Sequence, residues 1–320
     1  VAIEILKPGL LTTVQDLGRI GQRLGISTAG AMDSFALRVA NALVGNEPGA
    51  AGLEITLMGP RLTFSQGAVI AITGADLGAR LDGREIGPWK AHMVAPGTTL
   101  DFSGRRSGAR AYLGISGGIA VEPWLGSRST DLTAHFGGLE GRALLPGDRL
   151  PVGRALLSMS LLKRPAFPMD SLPSYSSEPT VRVILGPHRD RFTDQAVSAL
   201  QSGSYAITPT SNRQGYRLDG PKLTHTRGPD IISCGIPLGG IQVPGNGDPI
   251  ILMADHQSTG GYTMIATAIQ ADIPLVAQCL PGDRLRFRAV SLEEARAALR
   301  RQVDWLEAAT MEPEASIWDL

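Results

Sequence analysis

Cysteine is scarce in this 320-residue chain: Cys234 and Cys279, both in apolar surroundings, are too few for a disulfide scaffold and lack the spacing of metal ligands. They read as reduced core residues. The five histidines, His92, His135, His188, His225 and His256, are scattered and no H-E-x-x-H occurs, so nothing in the sequence supports a zinc site. The phosphate loop G-x-x-x-x-G-K-[ST] is missing, as is G-x-G-x-x-G after a strand, and no Met-Lys-Met marks a biotin attachment point. Any catalysis by this chain therefore falls to carboxylates, amides and arginines.

Excess charge of one sign is also lacking. Thirty basic residues balance thirty acidic ones with no block of like charge, which argues against a nucleic-acid surface or an anionic-membrane surface. No uninterrupted apolar run reaches the ~18 residues of a membrane span. The N-terminus has no basic region followed by an apolar one, as a signal peptide would. A soluble, cytoplasmic protein is the expectation.

What is plentiful is punctuation. Gly (39) and Pro (22) are scattered between short apolar runs rather than gathered in low-complexity tracts, the pattern of many strands joined by tight turns, while the length suggests about two domains of ~100–200 residues. Strands are expected at Ala2–Leu6, Leu53–Leu57, Arg61–Phe64, Ala68–Ile72, Ala79–Leu81, Met93–Phe102 broken at Pro96-Gly97, Ala111–Ile115, Val181–Leu185 and Ile250–Ala254. Asp33 or Ser34 caps a helix over 34–44 with Phe35, Val39, Ala42 and Leu43 on its apolar face, and Gly45 stops it. Asn41 sits among these apolar positions and needs partners for its amide. A second short helix covers about 193–201, and Ser291-Leu292-Glu293-Glu294 is a capping box opening a C-terminal helix.

Two short strings recur in order. Gly59-Pro60-Arg61-Leu62-Thr63 returns as Gly220-Pro221-Lys222-Leu223-Thr224, and Pro96-Gly97-Thr98-Thr99-Leu100-Asp101-Phe102 returns as Pro281-Gly282-Asp283-Arg284-Leu285-Arg286-Phe287; a third Pro-Gly-Asp-Arg-Leu stands at 146–150. The order implies a duplication, with an insertion in the second copy spanning 239–262. The expected organisation is a first β-barrel domain over 1–160, a Pro/Ser-rich linker over 161–179, a second β-barrel domain over 180–290, and a C-terminal helix and tail over 291–320.

Polar residues gather at four places. Gln15, Asp16 and Arg19 could hold an amide-bearing substrate, or form a turn locked by an internal Asp–Arg pair. Ser127, Arg128 and Thr130 suit an anion site, or a loop whose hydroxyls bind its own backbone. Alternation places Arg213, Gly215 and Arg217 on one face, where solvated arginines are the ordinary explanation. In the inserted stretch, Asp255, Gln257, Thr259 and Tyr262 follow an apolar strand to one rim, and Gly260-Gly261 allows close backbone approach to a ligand, the alternative being a purely structural loop.

Taken with Gly30-Ala31-Met32-Asp33, Ala40 to Asn46, Gly117-Gly118-Ile119, Leu125 to Thr130 and Gly240 to Pro244, these strings resemble the subunit 2 family of allophanate hydrolase. It is also called the biotin-dependent carboxyltransferase or KipA family, and it includes the C subunit of bacterial 5-oxoprolinase. The resemblance runs from about Ile5 to Phe287. It implies a mainly β fold of two tandem cyclophilin-like β-barrel domains with a few short helices. It further implies the C subunit of an ATP-dependent amidohydrolase that opens the lactam of 5-oxoproline to glutamate, inactive alone. A KipI-like sister subunit 1 and a third, A-type subunit act with it, ATP is shared with them, and neither metal nor biotin is attached to this chain. Homo-oligomer formation stays open. Two further roles in the family are a regulatory protein that binds a kinase-inhibitor sister protein, and a carboxyltransferase acting on urea or a related amide. On the first role the amide sits in a cleft between the barrels. Asp255 and Asp16 orient it or accept protons, Gln242 and Gln257 hydrogen-bond it, and Arg213, Arg128 and Arg19 hold a carboxylate or phosphorylated oxygen. Gln15, Asn41, Ser127, Thr130, Thr259, Gly260, Gly261 and Tyr262 complete the binding set. The family usually has Asp-Arg-x-Gly where this chain has Asn212-Arg213-Gln214-Gly215; an amide at 212 keeps the hydrogen bonds but cannot act as a base.

Overall fold

Pro-Gly turns launch strands at three places. Gly97, Gly147 and Gly282 take φ of +83°, +88° and +94°, which a Cβ would disfavour. The following residue closes each turn twice. Thr98, Asp148 and Asp283 donate their N–H to the carbonyls of Ala95, Leu145 and Leu280 at 3.1, 3.2 and 3.0 Å. Their side-chain oxygens accept the N–H of those same residues at 3.2, 2.7 and 2.8 Å. Strands Thr99–Phe102, Arg149–Pro151 and Arg284–Ala289 emerge, each burying its leucine, Leu100, Leu150 or Leu285. The other repeated string diverges. Arg61–Phe64 is a strand, whereas 222–224 is a loop, because the Leu223 N–H bonds the Gly247 carbonyl of the inserted stretch (3.0 Å) instead of a ladder.

The computed structural model describes residues 2–154, 167 and 172–310, with side chains as far as 307. They fall into two units: one takes in 2–18, 33–154, 167, 172 and 302–310, the other 19–32 and 173–301. The division departs from the sequence expectation in that 19–32 belongs with the second half and the end of the C-terminal helix with the first. Most of the expected linker, and the tail after 310, lie outside the described residues. Phe167 is described, and it is buried edge-on against Phe35 (6.0 Å between ring centres) and beside Trp89 (6.0 Å).

The first unit has a six-stranded sheet, in the order Arg149–Pro151, Ala2–Lys7, Arg61–Phe64, Thr99–Phe102, Ala79–Leu81, Arg84–Glu85. Its second sheet has five strands, in the order Leu11–Gln15, Gly52–Thr56, Ser107–Ile115, Ala68–Asp76, Ala91–Val94. Both sheets feed one apolar core, Ile3, Ile5, Leu62 and Phe64 from the first meeting Leu53, Ile55, Ile70 and Leu113 from the second. The helix Ser34–Leu43 is capped as its sequence asks, the Asp33 carboxylate accepting the Ala36 N–H at 2.8 Å.

In the second unit seven strands close a barrel in the order Thr180–Leu185, Met264–Ala268, Gly240–Gln242, Ile250–Leu252, Gly215–Asp219, Tyr205–Ile207, Arg284–Ala289. The molecule is thus mainly β with a seven-stranded barrel and a few helices. A separate two-stranded ribbon pairs Asp230–Gly235 with Thr259–Tyr262. Cys279 is buried as expected, but Cys234 is only half-buried, because it lies on this ribbon. Among the described residues no helix is long and apolar enough to cross a membrane.

Candidate functional site

Two-residue alternation on three adjacent barrel strands separates a core from a site. Tyr216 and Leu218, Ile241 and Val243, and Ile251 and Met253 point into the barrel core. Their neighbours therefore point outward. Register places Arg217 opposite Ile250, and Ile250 opposite Gln242, so the three form a row across one face. The next row is Gly215 opposite Leu252. A glycine there lets the Ile250 side chain lie close over the strand: a Cβ on Gly215 would come within 3.1 Å of it.

Over this face lies a cleft of about 670 Å³. Its lining includes Arg217, Ile250, Gln242 and Leu252 from the strands, Gln257, Gly260, Gly261 and Tyr262 from the inserted stretch, and Asn212 and Gln214 from the turn before Gly215. Gln242 is 7% exposed, and its Nε2 has no hydrogen-bond acceptor among the described residues. An amide donor buried without a partner beside a cleft is costly, and a ligand acceptor relieves that cost. Gly260 makes room for it: a Cβ there would lie 2.5 Å from Gln242 Nε2. Gly260→Ala is accordingly expected to swing the Gln242 amide away and weaken substrate use about tenfold or more with little change in the melting temperature, since Gly260 sits on the half-exposed ribbon. Equal loss of stability and activity in that variant would instead make Gly260 a folding residue.

The strand before the inserted polar loop is shorter than expected, Ile250–Leu252, and it does not carry Asp255 to the rim. Met253 N–H bonds the Gln214 carbonyl (3.1 Å) and Asp255 N–H the Arg213 carbonyl (2.9 Å), which turns the chain inward. Asp255 (4% exposed) then meets Arg213 (7% exposed) in a two-pronged pair, Nε to Oδ2 at 2.8 Å and Nη2 to Oδ1 at 2.9 Å. Arg213 Nη2 also donates to the Gly30 carbonyl at 2.6 Å. Neither side chain lines the cleft, and nor does Thr259. Arg213 and Arg217 part company because the strand begins only at Gly215, so alternation does not extend back to 213. Asn212 reaches the cleft while its Oδ1 accepts the Gln214 N–H at 2.8 Å, a turn bond that an aspartate would make equally well.

In the first unit Asp16 is saturated. Its carboxylate accepts from the hydroxyls of Ser127 and Ser129 (both 2.6 Å), from Gly18 N–H (2.8 Å) and from Arg128 N–H (2.5 Å). Arg128 Nε donates to the Val121 carbonyl (2.8 Å), and the Thr130 hydroxyl to the Val14 carbonyl (3.0 Å). Gln15 Nε2 donates to the Thr130 carbonyl and the Thr13 hydroxyl, both at 3.1 Å. These residues tie one loop to one strand. Asn41 does the same for the helix end: its Nδ2 donates to the carbonyls of Ala50 (2.8 Å) and Pro48 (3.3 Å), and its Oδ1 accepts from Asn46. Arg19 is buried in the second unit, where its N–H bonds the Thr28 carbonyl at 2.8 Å.

Of the residues singled out from sequence, then, Gln242, Gln257, Gly260, Gly261 and Tyr262 come together around one cleft, and Asp255, Arg213, Asp16, Gln15, Arg19, Asn41, Ser127, Arg128, Thr130 and Thr259 do not line it. The spacing Gly114-Ile115-Ser116-Gly117-Gly118 also matches a nucleophile elbow. Here the strand Ser107–Ile115 runs into a turn with no helix behind it, and Ser116 is buried, so the elbow geometry is not formed. No group of three or more His, Cys, Asp or Glu side chains among the described residues is placed to hold a metal.

The family described as carboxyltransferase domain, subdomain A and B, matches residues 24–289. The C subunit of the Escherichia coli 5-oxoprolinase is 41% identical over 307 residues, covering 95% of this chain and 96% of the relative. Its counterpart from Haemophilus influenzae is 36% identical over 301 residues, covering 94% of each. The solved structure of the urea amidolyase of K. lactis superposes with a TM-score of 0.91 at 34% identity, covering 100% of this chain, which spans 20% of that protein.

Proposed function

Because this chain belongs to the carboxyltransferase-domain family, subdomains A and B, and is 41% identical to a 5-oxoprolinase C subunit over 95% of its length, we propose that it is the C subunit of a 5-oxoprolinase. It acts within a multi-subunit, ATP-dependent hydrolase that opens the lactam of 5-oxoproline to glutamate. Its companions are a sister subunit 1 and a third, A-type subunit. The near-complete coverage of both chains carries this reading, since it leaves no large segment of the relative without a counterpart here.

The cleft supports a division of labour. Gln242 Nε2, buried and without an acceptor among the described residues, suits the carbonyl oxygen of a lactam, whose charge grows as the bond is attacked, and Gln257, in the same lining, offers a carbonyl for the lactam N–H. The cleft does not fit a triphosphate: among the described residues Arg217 is the one cationic side chain in its lining, against the carboxylates of Asp219 and Asp248. ATP is therefore held elsewhere in the assembly, and the cleft takes the amide.

The likeness to urea amidolyase favours a second reading, carboxyl transfer to urea or a related amide, which requires a carboxylated biotin carrier as donor. Assays of ATP-dependent phosphate and glutamate release from 5-oxoproline separate the two. The mixture of this chain with subunit 1 and the A-type subunit is expected to turn over without biotin, and omission of any one of the three to stop it. Full turnover without this chain would remove it from the enzyme, and turnover only on addition of a biotin carrier would favour carboxyl transfer.

A further inference from the structure

Arg217 is the side chain in the cleft for which the amide chemistry gives no use. It is exposed on the strand Gly215–Asp219, and its backbone is fixed on both sides: its N–H bonds the Ser211 hydroxyl (3.0 Å), and its carbonyl accepts the Thr208 N–H (2.9 Å). Its guanidinium forms no ion pair among the described residues. The nearby carboxylate of Asp248 is already engaged, by the Lys222 ammonium and by Asn246 Nδ2 at 2.9 Å. A guanidinium with five donors, held on a stiff strand in a cleft, is suited to a carboxylate.

The register says which carboxylate. Arg217 and Gln242 flank Ile250 on adjacent strands, so their Cα atoms stand about 10 Å apart, two strand spacings, on one face. A small molecule bonded to both ends must carry an amide carbonyl and a carboxylate a few ångströms apart. Between them Ile250 and Leu252 give an apolar floor that suits the methylene edge of a small ring. Urea meets the first requirement and not the second; 5-oxoproline meets both.

Resting on the reading above, we propose that Arg217 is the specificity residue of this cleft: it anchors the substrate carboxylate while Gln242 holds the amide carbonyl, so the site selects amino-acid lactams over amides without an acid group. The test compares 5-oxoproline with 2-pyrrolidinone, the same ring lacking the carboxylate. Binding of each is measured by calorimetry to the complex carrying wild-type, Arg217→Met or Arg217→Lys chain, and KM and kcat for 5-oxoproline are measured alongside. The wild type is expected to bind 5-oxoproline about 10- to 100-fold tighter than 2-pyrrolidinone, as the worth of about one charge-assisted hydrogen bond implies once the exposure of Arg217 weakens the fork. Arg217→Met should erase that preference by weakening 5-oxoproline alone, raising KM with little change in kcat. Arg217→Lys should restore part of it, a point charge replacing the fork. An Arg217→Met complex that still prefers 5-oxoproline by the wild-type ratio would overturn the assignment, as would equal weakening of both ligands. The binding ratio is read whether or not the assembly turns over, so absence of lactam hydrolysis counts against the enzymatic role and leaves the Arg217 comparison decisive by itself.

Discussion

Asp255→Ala is expected to destabilise the second unit by about 3–5 kcal/mol, because it leaves the Arg213 guanidinium buried without its carboxylate. Urea denaturation of the isolated chain reads this as a lower midpoint. Asp255→Asn keeps the shape and one acceptor and should fall between the alanine variant and the wild type. Replacing the pair together, Arg213→Met with Asp255→Leu, should recover much of the loss, since no charge is then left alone. The activity of the complex then follows the folded fraction. An Asp255→Asn chain with wild-type stability, normal assembly and no turnover would instead make Asp255 a catalytic group.

Asp16→Ala should be nearly as severe in the first unit. Four donors converge on that carboxylate, two hydroxyls and two backbone N–H groups, and each hydrogen bond to a charged group is worth about 1.5–3 kcal/mol. The bonds share one acceptor and are not additive, so a total of about 3–5 kcal/mol is expected, read as a fall in the first unit's denaturation midpoint. Asp16→Asn should recover part of the loss, because its carbonyl can replace Oδ1 and keep the bonds from Ser127, Ser129 and Gly18, while its amide nitrogen replaces Oδ2 and turns a donor toward the Arg128 N–H. Unchanged stability in Asp16→Ala would show that the loop at 127–130 is held by other means.

Local chemistry makes much of this fold legible in the sequence. The Pro-Gly turns, the Asp33 cap and the Ser291 cap, whose hydroxyl accepts the Glu294 N–H at 3.2 Å, each depend on residues within a few positions of one another. The strands that apolar alternation marks lie within a few residues of their expected positions for the same reason, alternation being a local property, whereas Leu11–Gln15, Tyr205–Ile207 and Met264–Ala268 are not among them. What escapes a sequence reading is decided by a distant partner. Lys222-Leu223-Thr224 repeats a strand-forming string yet pairs with the inserted stretch and stays a loop, because Gly247 offers it a carbonyl. Asp255 has the sequence setting of a binding-loop tip, but Arg213, forty-two positions earlier, draws it inward.

The candidate site divides along the same line. Gln242, Gln257 and the glycine pair are visible in the sequence because they lie within one inserted stretch, whereas Arg217 reads there only as a solvated arginine. Its place opposite Ile250 and across from Gln242 comes from the barrel register, which joins strands that are far apart in the chain. The polar run at 127–130 and the amide of Asn41 have the composition of binding groups, and their hydrogen bonds go to their own backbone and neighbours. Composition alone does not tell a group that binds a ligand from one that binds its own fold.

If the outer face of the second unit's barrel holds the amide through Gln242, steady-state kinetics of the assembled complex carrying Gln242→Met will show it most directly, with size-exclusion chromatography to check assembly. Methionine keeps the length of the side chain and removes the Nε2 donor, so kcat/KM for 5-oxoproline is expected to fall about 10²- to 10³-fold, mostly in kcat, while the complex assembles and melts as the wild type does. Wild-type kcat/KM in a fully assembled Gln242→Met complex would contradict this role and move the substrate site away from the cleft.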